Sequence, residues 1–213
     1  MNRLRLLALS SGLLALAACD NPAPSRLKPE SIPLAARPAA APVVSPIEWD
    51  SVRQGFAKDG KPLRTVKLWS FDGSTDGFVL TGGEALPMAG PGLKLTNKVR
   101  DPTLRSPSGL ALDGSIGNLV IVRLTRTRAG GAWDGTLFYS TANHPEAAGF
   151  RAVAVAGGNP PLNQVTILAY DMTALAEGGS DWTSSVIDQI RLDTDDDIGG
   201  TFVLHQIAIV QKP

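Results

Sequence analysis

From Val66 to the C-terminus, apolar residues fall in short runs that alternate with polar ones, separated by clusters of Gly, Pro, Asn and Asp. A period of two over four to eight residues marks a half-buried strand, and many such strands at regular spacing make a sandwich or a barrel. The pattern predicts strands at 66–71, 77–80, 92–96, 119–125, 136–141, 150–155, 165–170, 187–192 and 201–210. Glycine pairs at 82–83, 130–131, 157–158, 178–179 and 199–200 supply the turns between them. The expectation is an all-β, antiparallel β-sandwich over residues 66–213. Alternation also assigns faces. Val120, Val122 and Leu124 point into the core, with Leu119, Ile121 and Arg123 opposite; Leu137 and Tyr139 oppose Thr136, Phe138 and Ser140. In the last strand Val203, Ile207 and Ile209 share a face with His205, which reads as a satisfied, partly buried histidine rather than a ligand or catalyst.

The pattern breaks upstream. Residues 47–65 are ambiguous: Ile47, Trp49, Val52 and Phe56 can line a short amphipathic helix ending near Gly60-Lys61-Pro62. The segment is assigned as an N-terminal extension packed on the domain. Residues 20–46 carry seven prolines among Ala and Ser, with no apolar periodicity. Each proline removes an amide donor and biases its predecessor towards extended backbone. This is a disordered, semi-rigid linker whose 27 residues span roughly 80 Å when extended.

The first 18 residues have a basic start at Arg3 and Arg5, a short apolar run and small residues at its end, the pattern of a secretory leader. The run is short for a membrane span, which needs about 20 apolar residues. Its ending, Leu16-Ala17-Ala18-Cys19, resembles the lipobox of bacterial lipoproteins. That resemblance implies cleavage before Cys19 and diacylglycerol on its thiol, a palmitate-type anchor in the cell envelope. Inner membrane, outer membrane and cell surface all stay open, although Asp20 follows the cysteine directly. The organisation is then a signal peptide over 1–18, a lipidated Cys19 and linker over 19–46, an extension over 47–65 and the sandwich over 66–213.

Charge narrows the partners. Loss of Arg3 and Arg5 leaves 18 Lys and Arg against 20 Asp and Glu, a net charge of −2 without a long basic stripe. That argues against nucleic acid. Cys19 is the only cysteine, so no disulfide framework or thiolate metal site exists.

The stretch Trp69-Ser70-Phe71-Asp72-Gly73-Ser74-Thr75-Asp76-Gly77-Phe78 resembles the opening of galactose-binding-like jelly rolls, among them several carbohydrate-binding modules. Phe202-Val203-Leu204-His205-Gln206-Ile207-Ala208-Ile209 is similar to their closing strand, and Trp133-Asp134-Gly135 and Ile190-Arg191-Leu192-Asp193 fit the same style. The resemblance implies a jelly-roll sandwich and a glycan ligand. Such modules often hold a structural calcium between acidic residues of the first and last strands. Asp72 matches the first, but His205 and Gln206 stand where the others belong.

The acidic run Asp193-Thr194-Asp195-Asp196-Asp197 has carboxylates at alternate positions. An EF-hand requires Gly at its sixth position and Glu at its twelfth, where this chain has Ile198 and Leu204. A looser calcium site from Asp193, Asp195 and Asp197 and a solvated acidic turn remain as the two readings, the second preferred. Sugar binding calls for aromatic platforms and planar polar groups. Trp133, Tyr139 and Trp182, with Arg123 and Arg191, are the candidates, although capping a sandwich or filling its core is the commoner fate of a tryptophan. Arg123, Arg126 and Arg128 gather at one strand end, as a glycan or headgroup contact or as a charged edge. Catalytic signals are thin: two histidines, five glutamates and no Gly-x-Ser-x-Gly or His-Glu-x-x-His motif. The sequence therefore favours a non-catalytic glycan-binding lipoprotein. An adaptor that holds another envelope protein comes next, and a polysaccharide-acting enzyme last.

Overall fold

The structure, a computed structural model, describes residues 46–213. The leader, Cys19 and the Pro/Ala-rich linker lie outside the described residues. The chain enters through β1 (Ile47–Asp50), β2 (Gly55–Lys58) and β3 (Lys61–Pro62), a small antiparallel meander. There follow β4 (Thr65–Trp69), β5 (Val79–Thr81), β6 (Gly83–Pro87), β7 (Leu93–Asn97), β8 (Thr103–Arg105), β9 (Leu112–Asp113) and β10 (Leu119–Arg128). The rest is β11 (Leu137–Thr141), β12 (Arg151–Ala152), β13 (Val165–Asp171), β14 (Val186–Asp193) and β15 (Thr201–Val210), with one 3-10 turn at Trp182–Ser184.

Two antiparallel sheets face each other. The first runs β13-β10-β15-β7-β6, with β4 alongside the C-terminal half of β15. The second runs β12-β11-β14-β8-β5, with β9 alongside the start of β14. The expected β-sandwich is the fold, and its later strands cross between the sheets as in a jelly roll. Between the sheets, Val120, Val122 and Leu124 pack against Leu137, Tyr139, Ile190 and Leu192, as alternation predicts.

The meander replaces the helix considered for 47–65. Asp50 accepts the amides of Val52 and Arg53 on one carboxylate oxygen, both at 2.9 Å, which fixes a turn where a helix would have to continue. Asp59-Gly60, both at positive φ, form a two-residue hairpin loop between the paired Lys58 and Lys61. Val52 is left exposed, while Ile47, Phe56 and Leu63 bury themselves with Leu119, Ile121, Ala169, Ala208 and Val210 in a second apolar cluster. The meander thus covers the part of the first sheet's outer face around Leu119, Ile121, Ala169, Ala208 and Val210. It also explains why Leu119-Val120-Ile121-Val122 is apolar without interruption: this part of β10 is buried on both sides.

The face assignment of the last strand is corrected. Arg123 pairs with Gln206 but Leu124 pairs with Leu204, so His205 is the extra residue of a β-bulge. Parity resets there. Phe202, Leu204, Ile207 and Ile209 face the core, and Val203 and His205 do not join them. His205 is half-buried, its Nε2 at 2.9 Å from Thr125 Oγ1. Burial, and then the nearby Arg123 guanidinium, hold its pKa below the ordinary value. The unfolded chain therefore takes up a proton before the folded chain does, and stability falls as pH drops from about 7 through the ordinary histidine value of about 6.5. His205→Gln should flatten that loss, read as the shift in urea midpoint between about pH 7.5 and about pH 5.5. Equal shifts in both proteins would contradict the assignment.

Candidate functional site

The meander covers the Leu119–Ile121 part of the first sheet's outer face, whereas the outer face of the second sheet carries polar side chains across its strands. Strand register lays one row of side chains across it: Val79 (β5), Arg105 (β8), Arg191 (β14), Phe138 (β11) and Arg151 (β12). A parallel row holds Thr81, Thr103 and Asp193, and on the other side Ser140 pairs with Gln189. These positions face outward because Leu80, Leu104, Leu137, Tyr139, Ile190 and Leu192 alternate with them into the core.

Arg191 is the hub. Its Nε and Nη2 donate to the two carboxylate oxygens of Asp193, each at 2.6 Å, and its guanidinium carbon lies 4.6 Å from the centroid of the Phe138 ring. A bidentate fork of this kind also fixes the plane of the guanidinium. Glu146, from the 142–150 segment, reaches onto the sheet: Arg105 Nε donates to its two oxygens at 3.0 and 3.1 Å, and Arg191 Nη1 lies 3.4 Å away. Arg105 Nη1 donates in addition to Thr103 at 2.5 Å and to Thr81 at 3.3 Å. Burial lowers the Arg191 pKa, but Asp193 and Glu146 outweigh it and hold the guanidinium above its ordinary value. Asp193 moves up as well, because burial, reinforced by repulsion from Asp134 and Asp101, exceeds the pull of Arg191. The two directions look opposed for one ion pair. The 2.6 Å fork shows the attraction, and the upward carboxylate records the cost of burying it among other acids.

The 142–150 segment is pinned at His144. Its Nε2 lies 2.9 Å from Asp181 Oδ2, its Nδ1 lies 2.9 Å from the Pro145 carbonyl, and its ring stacks on Phe150. Both ring nitrogens are therefore engaged, and neither is turned to a serine. Ser140 lies instead on the outer face of β11, beside Gln189.

The residues singled out from sequence do not form one patch. Tyr139 is fully buried between the sheets, its hydroxyl donating to Asp181 at 2.9 Å; burial first, then Asp181, pushes its pKa far up. Trp182 is fully buried beside it, with Nε1 donating to the Gly117 carbonyl at 2.8 Å. Trp133 packs its half-buried ring on Phe202 at the end of the sandwich. Arg123 lies on the first sheet, donating to Gln206 at 2.9 Å, and burial lowers its pKa. Arg191 is the candidate that belongs to the outward row.

The acidic candidates do not converge either. Asp193 is bound to Arg191, buried Asp195 to Arg126, and Asp197 lies 3.4 Å from Arg100, while Asp72 bridges to Pro91 in the turn after β4. Among the described residues, no group of three or more His, Cys, Asp or Glu is placed to hold a metal ion.

Sequence reasoning passed over Phe138, Arg105, Gln189 and Glu146. For Phe138 the signal was present, since parity with Leu137 puts Tyr139 in the core and Phe138 outside. Arg105 sits in a three-residue strand too short to show alternation. A cleft of about 530 Å³ also opens beside β4, lined by Lys67, Trp69, Ser70, Asp76 and Ser108 among others. It offers less chemistry. Asp76 already accepts from the Phe71 amide and the Ser74 hydroxyl, and the Trp69 ring is turned into the core.

No protein-family model matches the chain, and no curated protein matches it in sequence. Solved structures resemble it in backbone. A structure described as showing the promiscuous specificity of carbohydrate-binding modules of the β-sandwich superfamily has a TM-score of 0.48 and 14% identity, over 74% of this chain and 65% of that one. The CBM22-1–GH10 modules of a Clostridium thermocellum endo-1,4-β-D-xylanase, complexed with xylohexaose, have a TM-score of 0.46 and 17% identity, over 70% of this chain and 29% of that one. A carbohydrate esterase of the Shiga toxin-encoding bacteriophage phi24B has a TM-score of 0.45 and 13% identity, over 70% and 100%. This chain thus spans less than a third of the xylanase and about two thirds of the first module. Backbones that agree this loosely do not indicate what this chain binds.

Proposed function

We propose that this chain is a non-catalytic glycan-binding module, carried on the Pro/Ala-rich linker and held to a cell-envelope membrane by lipid on Cys19. Its ligand lies on the outer face of the second sheet. The single observation that carries the reading is the row Arg105, Arg191, Phe138 and Arg151, flanked by Thr81, Ser140 and Gln189 on one outward-facing surface. Planar guanidiniums and amides hydrogen-bond vicinal hydroxyls in pairs, and an aromatic ring offers its face to sugar C–H groups. The carboxylates on the face are tied to arginines, Glu146 to Arg105 and Asp193 to Arg191, which favours recognition over acid–base work.

Binding of the full chain in detergent to a panel of neutral and acidic polysaccharides tests this by calorimetry. Arg191→Ala should weaken binding by about thirtyfold, the scale of an interfacial arginine anchor of about 2 kcal/mol. Trp133→Ala should leave it unchanged. Saturable binding that survives Arg191→Ala and disappears in Trp133→Ala would place the ligand at the sandwich end and overturn the reading.

A further inference from the structure

Arg105 and Arg191 are directly paired across neighbouring strands, with both side chains on the outer face. Like charges in that relation repel, and the Cα atoms of such a pair are only about 5 Å apart. The arrangement needs an anion between the two guanidiniums, and the Glu146 carboxylate is that anion. It is supplied from 41 and 45 residues away along the chain. It reaches the sheet from a connecting segment rather than from a strand, so no ladder of backbone hydrogen bonds holds it in register. The pair is reachable: the side chains of Arg105 and Glu146 keep 27% and 23% of their exposure. Farther along the row Arg151 is under-satisfied. Its Nε is buried with no hydrogen-bond partner among the described residues, and its contact with Glu177 is a long 3.8 Å.

We propose that the ligand of this face is an acidic glycan bearing ring carboxylates, and that Glu146 is a resident carboxylate which the ligand displaces. The inference rests on the glycan-binding reading and names its substrate class. A uronate carboxylate has the size, charge and planarity of the Glu146 carboxylate, and a guanidinium fork recognises that group by two parallel hydrogen bonds. Once it takes the place of Glu146 between Arg105 and Arg191, the sugar ring lies over Phe138 and its hydroxyls meet Gln189 and Ser140. Arg151, beyond Phe138, is positioned for an acceptor on the next part of the chain. A neutral glycan has nothing to exchange for Glu146, so the same surface discriminates against it.

The test uses the full chain in detergent with polygalacturonate and alginate as carboxylated probes and fully methyl-esterified polygalacturonate as the uncharged control. The free acids should bind at least tenfold tighter than the ester, with affinity falling as salt rises. Glu146→Gln removes the competing charge and should tighten binding of the free acids about tenfold while leaving the ester unchanged. If Glu146→Gln does not fold alone, thermal unfolding in the presence of polygalacturonate decides: rescue by the free acid and not by the ester supports the proposal, and rescue by neither overturns it. Equal binding of acid and ester, or a Glu146→Gln variant with the wild-type ratio, overturns the proposal and leaves the glycan reading standing. No binding of acid, ester or any neutral polysaccharide overturns both.

Discussion

Arg126→Ala should lower the stability of the folded domain by about 3–5 kcal/mol, the cost of breaking a buried ion pair by removing one partner. Arg126 lies near the end of β10, on the inward-facing parity of Val120, Val122 and Leu124. Its side chain is 8% exposed and that of Asp195 is fully buried, with Nη2 and Oδ1 2.7 Å apart. Arg126 also donates to the Gly131 carbonyl at 3.0 Å, and Asp195 accepts the Gly130 amide at 2.5 Å. The pair therefore ties the 130–135 turn to the 193–200 turn. The fit is close enough that a Cβ on Gly130 would stand 2.3 Å from the Gly200 nitrogen. Truncating Arg126 leaves a carboxylate in the interior with one amide for company. A urea midpoint lowered at unchanged slope would show the loss as stability alone. Arg100→Ala is the contrast: its Asp197 partner is an exposed pair, worth about 1 kcal/mol or less. An Arg126→Ala midpoint as mild as that of Arg100→Ala would mean that the pair is solvated.

Trp182→Ala should cost a similar amount, about 3–5 kcal/mol, for a different reason. The ring is fully buried, packs edge-on against Tyr139 with centroids 5.0 Å apart, and satisfies the Gly117 carbonyl through Nε1. The backbone next to it has no slack either, since a Cβ on Gly114 would lie 1.9 Å from the Trp182 carbonyl oxygen. Removing the ring opens a cavity between the sheets and leaves the Gly117 carbonyl unpaired. The folded fraction should still bind its ligand with wild-type affinity, because the Trp182 ring lies in the core between the sheets and not in the outward row. A variant of normal stability that fails to bind would return Trp182 to the list of ligand contacts.

The contrast between these two residues and the outward row shows what the sequence made legible. Alternation placed Val120, Val122, Leu124 and Leu137 correctly, because β10 runs in unbroken register against β13 from Leu119 to Thr125, and β11 against β14 from Leu137 to Ser140. It failed at His205, where a bulge inserts one residue and inverts the parity of everything before it. A second register shift, between Ser140 and Thr141, does the same opposite Asp188. Bulges leave no reliable trace in hydropathy. The meander was legible in retrospect through Asp59-Gly60, a hairpin dipeptide, and through the unbroken Leu119–Val122 run, which signals burial on two sides. Trp182 follows the Gly178-Gly179 turn, but a turn fixes only the backbone and not where a large ring finds room. The candidate site itself was the least legible part. Its members come from β5, β8, β11, β12 and β14, and only strand order brings Arg105 beside Arg191 or carries Glu146 onto both.

The central claim is the location of the ligand, and amide chemical-shift mapping of the isotope-labelled chain during titration with a bound oligosaccharide tests it most directly. The account predicts that the shifts concentrate on Val79–Thr81, Thr103–Arg105, Leu137–Thr141 and Val186–Asp193, and on the segment around Glu146. Shifts confined to the cleft beside β4, at Lys67, Ser70, Asp76 and Ser108, or to Arg123 and Gln206 on the first sheet, would contradict it.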